Sequence, residues 1–129
     1  MSSIPSDLKF SKTHQWVRSE TDGSILIGIS DFAQRELGDL VYANLPETGT
    51  VIRAGKPFMV LESVKAASDV HAPISGSILS VNEDLKSAPE AINENPYATW
   101  LVAVRPDDSS ALETLMDAAA YAAFLEQGD

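Results

Sequence analysis

Pro46-Glu47-Thr48-Gly49-Thr50-Val51-Ile52 is followed, further along the chain, by Pro73-Ile74-Ser75-Gly76-Ser77-Ile78-Leu79. The two stretches share one pattern: a proline, two residues, a glycine, a small hydroxyl residue and an apolar pair. The match continues with Gly55 on Asn82, two residue types that tolerate positive φ, and with apolar Phe58 on Leu85. One structural unit, a turn leading into a strand and a second turn, is thus written twice. Two such units pack face to face around a pseudo-twofold axis, and the segment that joins them carries Lys65.

The flanking sequence extends the β reading. Thr13 to Glu20 and Ser24 to Ile29 are strand-like and are separated by Asp22-Gly23, a strong hairpin signal. Asp31 is placed to cap a short helix through Leu37, with Gly38 to end it. Strands are expected over Leu40 to Leu45, Phe58 to Glu62, Val70 to Ala72, Ile78 to Val81 and Thr99 to Val104, with a chain reversal around Ser63 to Ala66. Turn residues at such regular spacing favour an antiparallel sandwich or barrel. Pro89 to Ile92 suggests a short helix and Asn95-Pro96 a turn. Leu112, Leu115, Met116, Phe124 and Leu125 then change to helical spacing, with Ser109 or Ser110 as one cap and Asp117 as another. One broken helix or two short ones satisfy that pattern.

At 129 residues, 44% hydrophobic and 22% charged, the chain has the size and balance of one ordinary globular domain. No run approaches the ~18 apolar residues of a bilayer span. Met1-Ser2-Ser3-Ile4-Pro5 lacks the basic and apolar regions of a signal peptide. With no cysteine, disulfides, thiolate metal sites and cysteine nucleophiles are ruled out, and a reducing cytoplasm is the simplest compartment. Two histidines give a metal site little to build on. A net charge of −10 repels nucleic acid and suits either solubility or an acidic face for basic protein partners.

Lys65 stands out against this background. A lysine at a hairpin tip is ordinarily a solvated charge, but its neighbours Val64 and Ala66 are apolar or small. It sits between the halves of the repeat, at a tip rather than along a face. Glu62 and Asp69 flank the turn where a modifying enzyme could read them.

Glu62-Ser63-Val64-Lys65-Ala66-Ala67-Ser68-Asp69, followed by Ala72-Pro73-Ile74-Ser75-Gly76, resembles the lipoylation site of the glycine cleavage system H-protein family. Thr13-His14-Gln15-Trp16-Val17-Arg18 and Gly28-Ile29-Ser30-Asp31-Phe32-Ala33-Gln34 are similar to further signatures of that family. So are Leu37-Gly38-Asp39, Asn93-Glu94-Asn95-Pro96-Tyr97 and Ala120-Tyr121-Ala122-Ala123-Phe124-Leu125. The likeness spans roughly Leu8 to Leu125.

The resemblance implies a mainly β fold with short helices. It is a barrel-sandwich hybrid, the lipoyl-domain-like β sandwich, with an N-terminal hairpin and a C-terminal helix. Residues 1–129 would form a single carrier domain, its lipoyl-like core at about 25–105 and its helical segment at about 108–126. Lys65 would hold lipoate in amide linkage, so that a tethered dithiolane can visit several active sites without tight binding. The chain would itself be no enzyme. Its implied partners are the pyridoxal-phosphate-dependent glycine decarboxylase, the tetrahydrofolate-dependent aminomethyltransferase and dihydrolipoamide dehydrogenase, with an octanoyl or lipoyl transferase or a lipoate ligase to load it. Glu62, Ser63, Val64, Ala66 and Asp69 would serve recognition, and Thr13, His14 and Gln15 would belong to a cleft where the loaded arm docks.

Gln15 departs from the family, which usually has glutamate there. It keeps hydrogen bonding but loses the charge, so Asp69 would carry more of any pairing with an arm ammonium; a plain polar surface position is the alternative. His14, Trp16 and Trp100 read as packing residues, and His71 as solvated or structural.

Other readings share parts of the pattern. Biotin carriers flank their lysine with methionines, unlike Val64 and Ala66. Lipoyl domains of 2-oxoacid dehydrogenases lack the N-terminal hairpin and C-terminal helix. A Schiff-base lysine needs burial or a cationic neighbour, which the acidic surroundings of Lys65 do not offer. A lipoyl donor for the 2-oxoacid dehydrogenases and an adaptor whose lysine stays bare both remain compatible with these residues.

Overall fold

The structure, a computed structural model, describes residues 4–127; residues 1–3, part of the stretch read above for a leader, lie outside the described residues. Among the described residues, nine strands and three α-helices follow in order. They are β1 (Lys9–Phe10), β2 (Gln15–Ser19), β3 (Ile25–Ile29), α1 (Asp31–Leu37), β4 (Leu40–Asn44), β5 (Val51–Ile52) and β6 (Pro57–Ser63). Then come β7 (Ala67–His71), β8 (Gly76–Val81), α2 (Ala91–Glu94), β9 (Val102–Pro106) and α3 (Ala118–Glu126). A six-stranded sheet runs β1-β2-β3-β9-β8-β5 and a three-stranded one β4-β6-β7. Every pairing is antiparallel. The sheets form a sandwich and do not close into a barrel.

The alternation of apolar residues decides which face is buried. Along β6, Met59, Leu61 and Ser63 point inward, while Glu62 is exposed. Val70 of β7 lies opposite Met59 and joins the same core. That core is closed from the larger sheet by Ile25, Ile27, Ile29, Ile78, Val102 and Val104. A second apolar cluster lies outside the sandwich, where Leu8, Phe10 and Trp16 meet Tyr121 of α3. Phe10 and Tyr121 stack with centroids 4.4 Å apart. The backbone ties the same ends together, Phe10 N to Met116 O at 2.7 Å and Met116 N to Phe10 O at 2.8 Å.

The two copies of the repeated unit meet directly: β5 pairs with β8, Val51 opposite Ser77 and Ile52 opposite Gly76. Their glycines serve different ends. Gly49 has φ +87, whereas Gly76 leaves room for the carbonyl oxygen of Arg105, which a Cβ would strike. The outer turns diverge too: Gly55 has φ +82, but Asn82 has φ −81 and its side chain caps a 3-10 turn over Glu83–Lys86.

Several boundaries shift for physical reasons. Ser30, not Asp31, caps α1, its Oγ accepting from Ala33 N at 3.2 Å; two adjacent capping types left the choice to packing. β7 begins at Ala67, ahead of the expected Val70, because Ser68 and Asp69 pair with Leu61 and Val60 despite their polarity. The C-terminal helical region is two pieces, a 3-10 turn over Ser109–Thr114 and α3. Asp108 caps the first in place of Ser109 or Ser110, and Asp117 caps the second through Ala120 N at 2.8 Å.

Candidate functional site

The turn between β6 and β7 is held from inside and from below. Ser63 Oγ donates to Ala66 O (3.1 Å) and accepts from Lys65 N (3.3 Å) and Ala66 N (3.2 Å). Ser63 N closes the turn onto Ala66 O at 2.8 Å, and Val64 N reaches across to Asp39 O at 3.0 Å. A single, nearly buried hydroxyl thus organises the loop, while its tip is fully open. Lys65 is exposed and Val64, at 70% exposure, is the most exposed large apolar side chain among the described residues. Among the described residues Lys65 makes no ion pair. Its stem runs over Gly38, just after α1.

Beside this turn lies a cleft of about 160 Å³. Thr13, His14 and Gln15 line one side, Phe32, Ala33, Glu36 and Leu37 of α1 another, and Ser68, Asp69 and Val70 of β7 a third. Three of the residues expected at an arm-docking cleft, Thr13, His14 and Gln15, therefore come together with Asp69. The other expected residues stay at the turn: Ser63 organises it, Val64 and Ala66 form its open tip, and Glu62 faces outward beside Tyr42. The α1 face was missed. Phe32, Ala33, Glu36 and Leu37 recur at helical spacing, so the one-sided pattern of a short helix was the available signal.

Gln15 is no surface residue: it is 3% exposed. Its Oε1 accepts from Ser11 Oγ (2.7 Å) and Thr13 Oγ1 (2.5 Å), and its Nε2 donates to Thr13 O (2.8 Å). Its polar atoms are thus engaged within the loop before β2. Glu36 and Asp69 line the cleft and, among the described residues, pair with no cation.

His14 has φ +76, unusual for a residue with a Cβ. Its backbone is pinned, His14 N to Ser11 O at 3.0 Å and Ser30 N to His14 O at 2.9 Å. Its ring lies 4.5 Å from that of Phe32, and Nδ1 is 2.7 Å from the Tyr121 hydroxyl. Burial pulls the imidazole pKa below its ordinary value, an effect partly offset by the Glu36 carboxylate. His71 lies on β7, partly exposed, opposite Pro57. Among the described residues no group of three His, Cys, Asp or Glu side chains is placed to hold a metal, and no helix is long and apolar enough to cross a membrane.

The architecture has a close counterpart among solved structures. A glycine cleavage system H protein from Mycobacterium marinum superposes with a TM-score of 0.84 at 35% identity, covering 95% of this chain and 99% of that one. In sequence, the Glycine cleavage H-protein family matches residues 8–128. The glycine cleavage system H protein of Methylococcus capsulatus is 51% identical over 127 residues, 98% of this chain and 100% of that protein. That of Escherichia coli O45:K1 is 50% identical over 127 residues, 98% of each chain. The chain belongs to the glycine cleavage H-protein family, a family of carrier proteins.

Proposed function

We propose that this chain is the lipoyl carrier of a glycine cleavage system and that Lys65 is its attachment point. The observation that carries the reading is the Lys65 turn. It offers an exposed amine that makes no ion pair among the described residues, on a loop fixed by Ser63 and Asp39 and bordered by a cleft. Those features fit an arm joined by an amide. The amine is reachable by a loading enzyme, and amide formation removes a charge that nothing nearby has to balance. A dithiolane held on Lys65 would supply the redox and group-carrying chemistry needed to carry the aminomethyl group of glycine between the decarboxylase, the tetrahydrofolate-dependent aminomethyltransferase and dihydrolipoamide dehydrogenase.

The chain's own residues then present, shelter and release the arm. The rigid turn sets the direction of Lys65, and the four-carbon stem passes over Gly38 beside α1. The cleft offers apolar walls at Ile29, Phe32, Leu37 and Val70, with carboxylates at Glu36 and Asp69 to face an ammonium. Gln15, locked onto Ser11 and Thr13, shapes the wall and leaves charge pairing to those two acids. The chain performs no bond-making step itself, and its acidic surface serves contact with the three enzymes and with the loading enzyme.

The test is reconstitution with the three partner enzymes and a lipoate ligase. Wild-type protein supports glycine-dependent NADH formation and Lys65→Arg supports none. Equal turnover with Lys65→Arg would refute the assignment.

A further inference from the structure

Residues from distant parts of the chain meet in one line of hydrogen bonds. Ala33 N lies 3.2 Å from Ser30 Oγ, Ser30 Oγ lies 2.8 Å from the Tyr121 oxygen, and that oxygen lies 2.7 Å from His14 Nδ1. The backbone closes the loop, with Ser30 N donating to His14 O at 2.9 Å.

The donors and acceptors along this line can be assigned. A backbone N–H only donates, so Ser30 Oγ accepts from Ala33. Ser30 is fully buried, and its hydroxyl has no other side-chain or backbone partner among the described residues except Tyr121. Its proton therefore goes to the Tyr121 oxygen; reversing that bond would leave a buried donor unpaired. Tyr121, accepting from Ser30, passes its own proton toward His14 Nδ1. A nitrogen that accepts carries no proton, so the imidazole is neutral and protonated at Nε2.

We infer that Tyr121 is a positioning residue for the arm-docking cleft: it holds His14 as the neutral Nε2–H tautomer and locks the start of α1 to the His14 turn. The inference rests on the reading of that cleft as the arm's resting place. His14 lines the cleft itself, and α1 contributes Phe32, Ala33, Glu36 and Leu37. One hydroxyl on the C-terminal helix thus bears on two of the three walls. Burial pushes the Tyr121 hydroxyl up to about 12, so it remains a donor across the neutral range. Without it, Ser30 loses its acceptor, Nδ1 loses its donor, and the two imidazole tautomers compete.

The experiment uses full-length, lipoylated protein labelled with 15N-histidine. Wild type is expected to show His14 protonated at Nε2 with an accepting Nδ1. Tyr121→Phe is expected to show mixed tautomers and a lifetime of the aminomethyl-loaded arm shortened about fivefold. A proton on Nδ1 in wild type, which needs no variant to detect, overturns the inference. So does an equal loaded lifetime in wild type and a folded Tyr121→Phe. If folded wild type releases the aminomethyl group as fast as urea-unfolded protein, the docking reading falls and the positioning role with it, while the Nε2–H assignment stands on its own signal.

Discussion

Lys65 is laid along Gly38: a Cβ on Gly38 would stand 3.3 Å from Lys65 Cε, tighter than most natural contacts. Gly38 also has φ +83, which only glycine adopts without strain. The residue that ends α1 therefore also provides the path for the stem of Lys65.

Gly38→Ala brings both effects together. The backbone of Gly38, with φ 83 and ψ −162, alone costs a residue with a Cβ about 1–3 kcal/mol, and the new methyl displaces the Lys65 stem. Equilibrium urea unfolding should show that loss, and lipoyl transfer to Lys65 should slow. Unchanged stability and transfer would mean that the stem is free of α1.

Ser63→Ala removes three hydrogen bonds from one turn. The expected cost is about 1–2 kcal/mol, since a net hydrogen bond contributes about 1 kcal/mol and the freed amides lie near water. Hydrogen exchange at the Lys65 and Ala66 amides should accelerate while exchange in β6 and β7 persists. A turn that exchanges as slowly as before would have some other anchor.

Gln15→Glu places a carboxylate where Nε2 now donates to Thr13 O at 2.8 Å. Two acceptors then face each other in a site only 3% exposed. At neutral pH the variant should lose about 1–3 kcal/mol, the penalty for an unsatisfied buried group. Protonation restores a donor, so the folded pKa of the new group is raised. The loss should shrink as pH falls through that value. A variant as stable as wild type at neutral pH would show that Ser11 and Thr13 rearrange freely.

His14 makes stability depend on pH. Its folded pKa lies below 6.5, so the unfolded chain binds more protons in the acid window beneath that value. The contribution is therefore fully present above pH 6.5 and is lost as pH falls below it. His14→Asn keeps a residue type that tolerates φ +76 and removes the titration. Thermal unfolding of the two proteins between pH 7 and 5 should show a shallower decline for the variant. Parallel curves would place the titration elsewhere.

How much was readable in advance depended on how local each signal was. The Asp22-Gly23 hairpin was plain in sequence because Asp22 Oδ1 accepts from Ser24 N within the turn itself and Gly23 supplies φ +90. Asp117 was likewise recognisable as a cap, since its partner Ala120 is three residues on. Lys65 stood out through its neighbours. The cleft did not, because its walls come from three segments brought together only by the sandwich. Gln15 shows the difficulty: its type suggested an exposed or arm-facing amide, but its partners are the hydroxyls of Ser11 and Thr13. Tyr121 belonged to a C-terminal stretch whose helical spacing and family likeness named no partner for it, and its contact with Phe10 is a tertiary fact.

The central claim is that Lys65 carries the arm, and intact mass of the protein from its native source, with peptide mapping across Val60 to Val70, tests it most directly. A lipoyl increment on Lys65 that Lys65→Arg abolishes is the expected result. A bare Lys65 after growth with lipoate and a competent ligase would contradict it and leave an adaptor in its place.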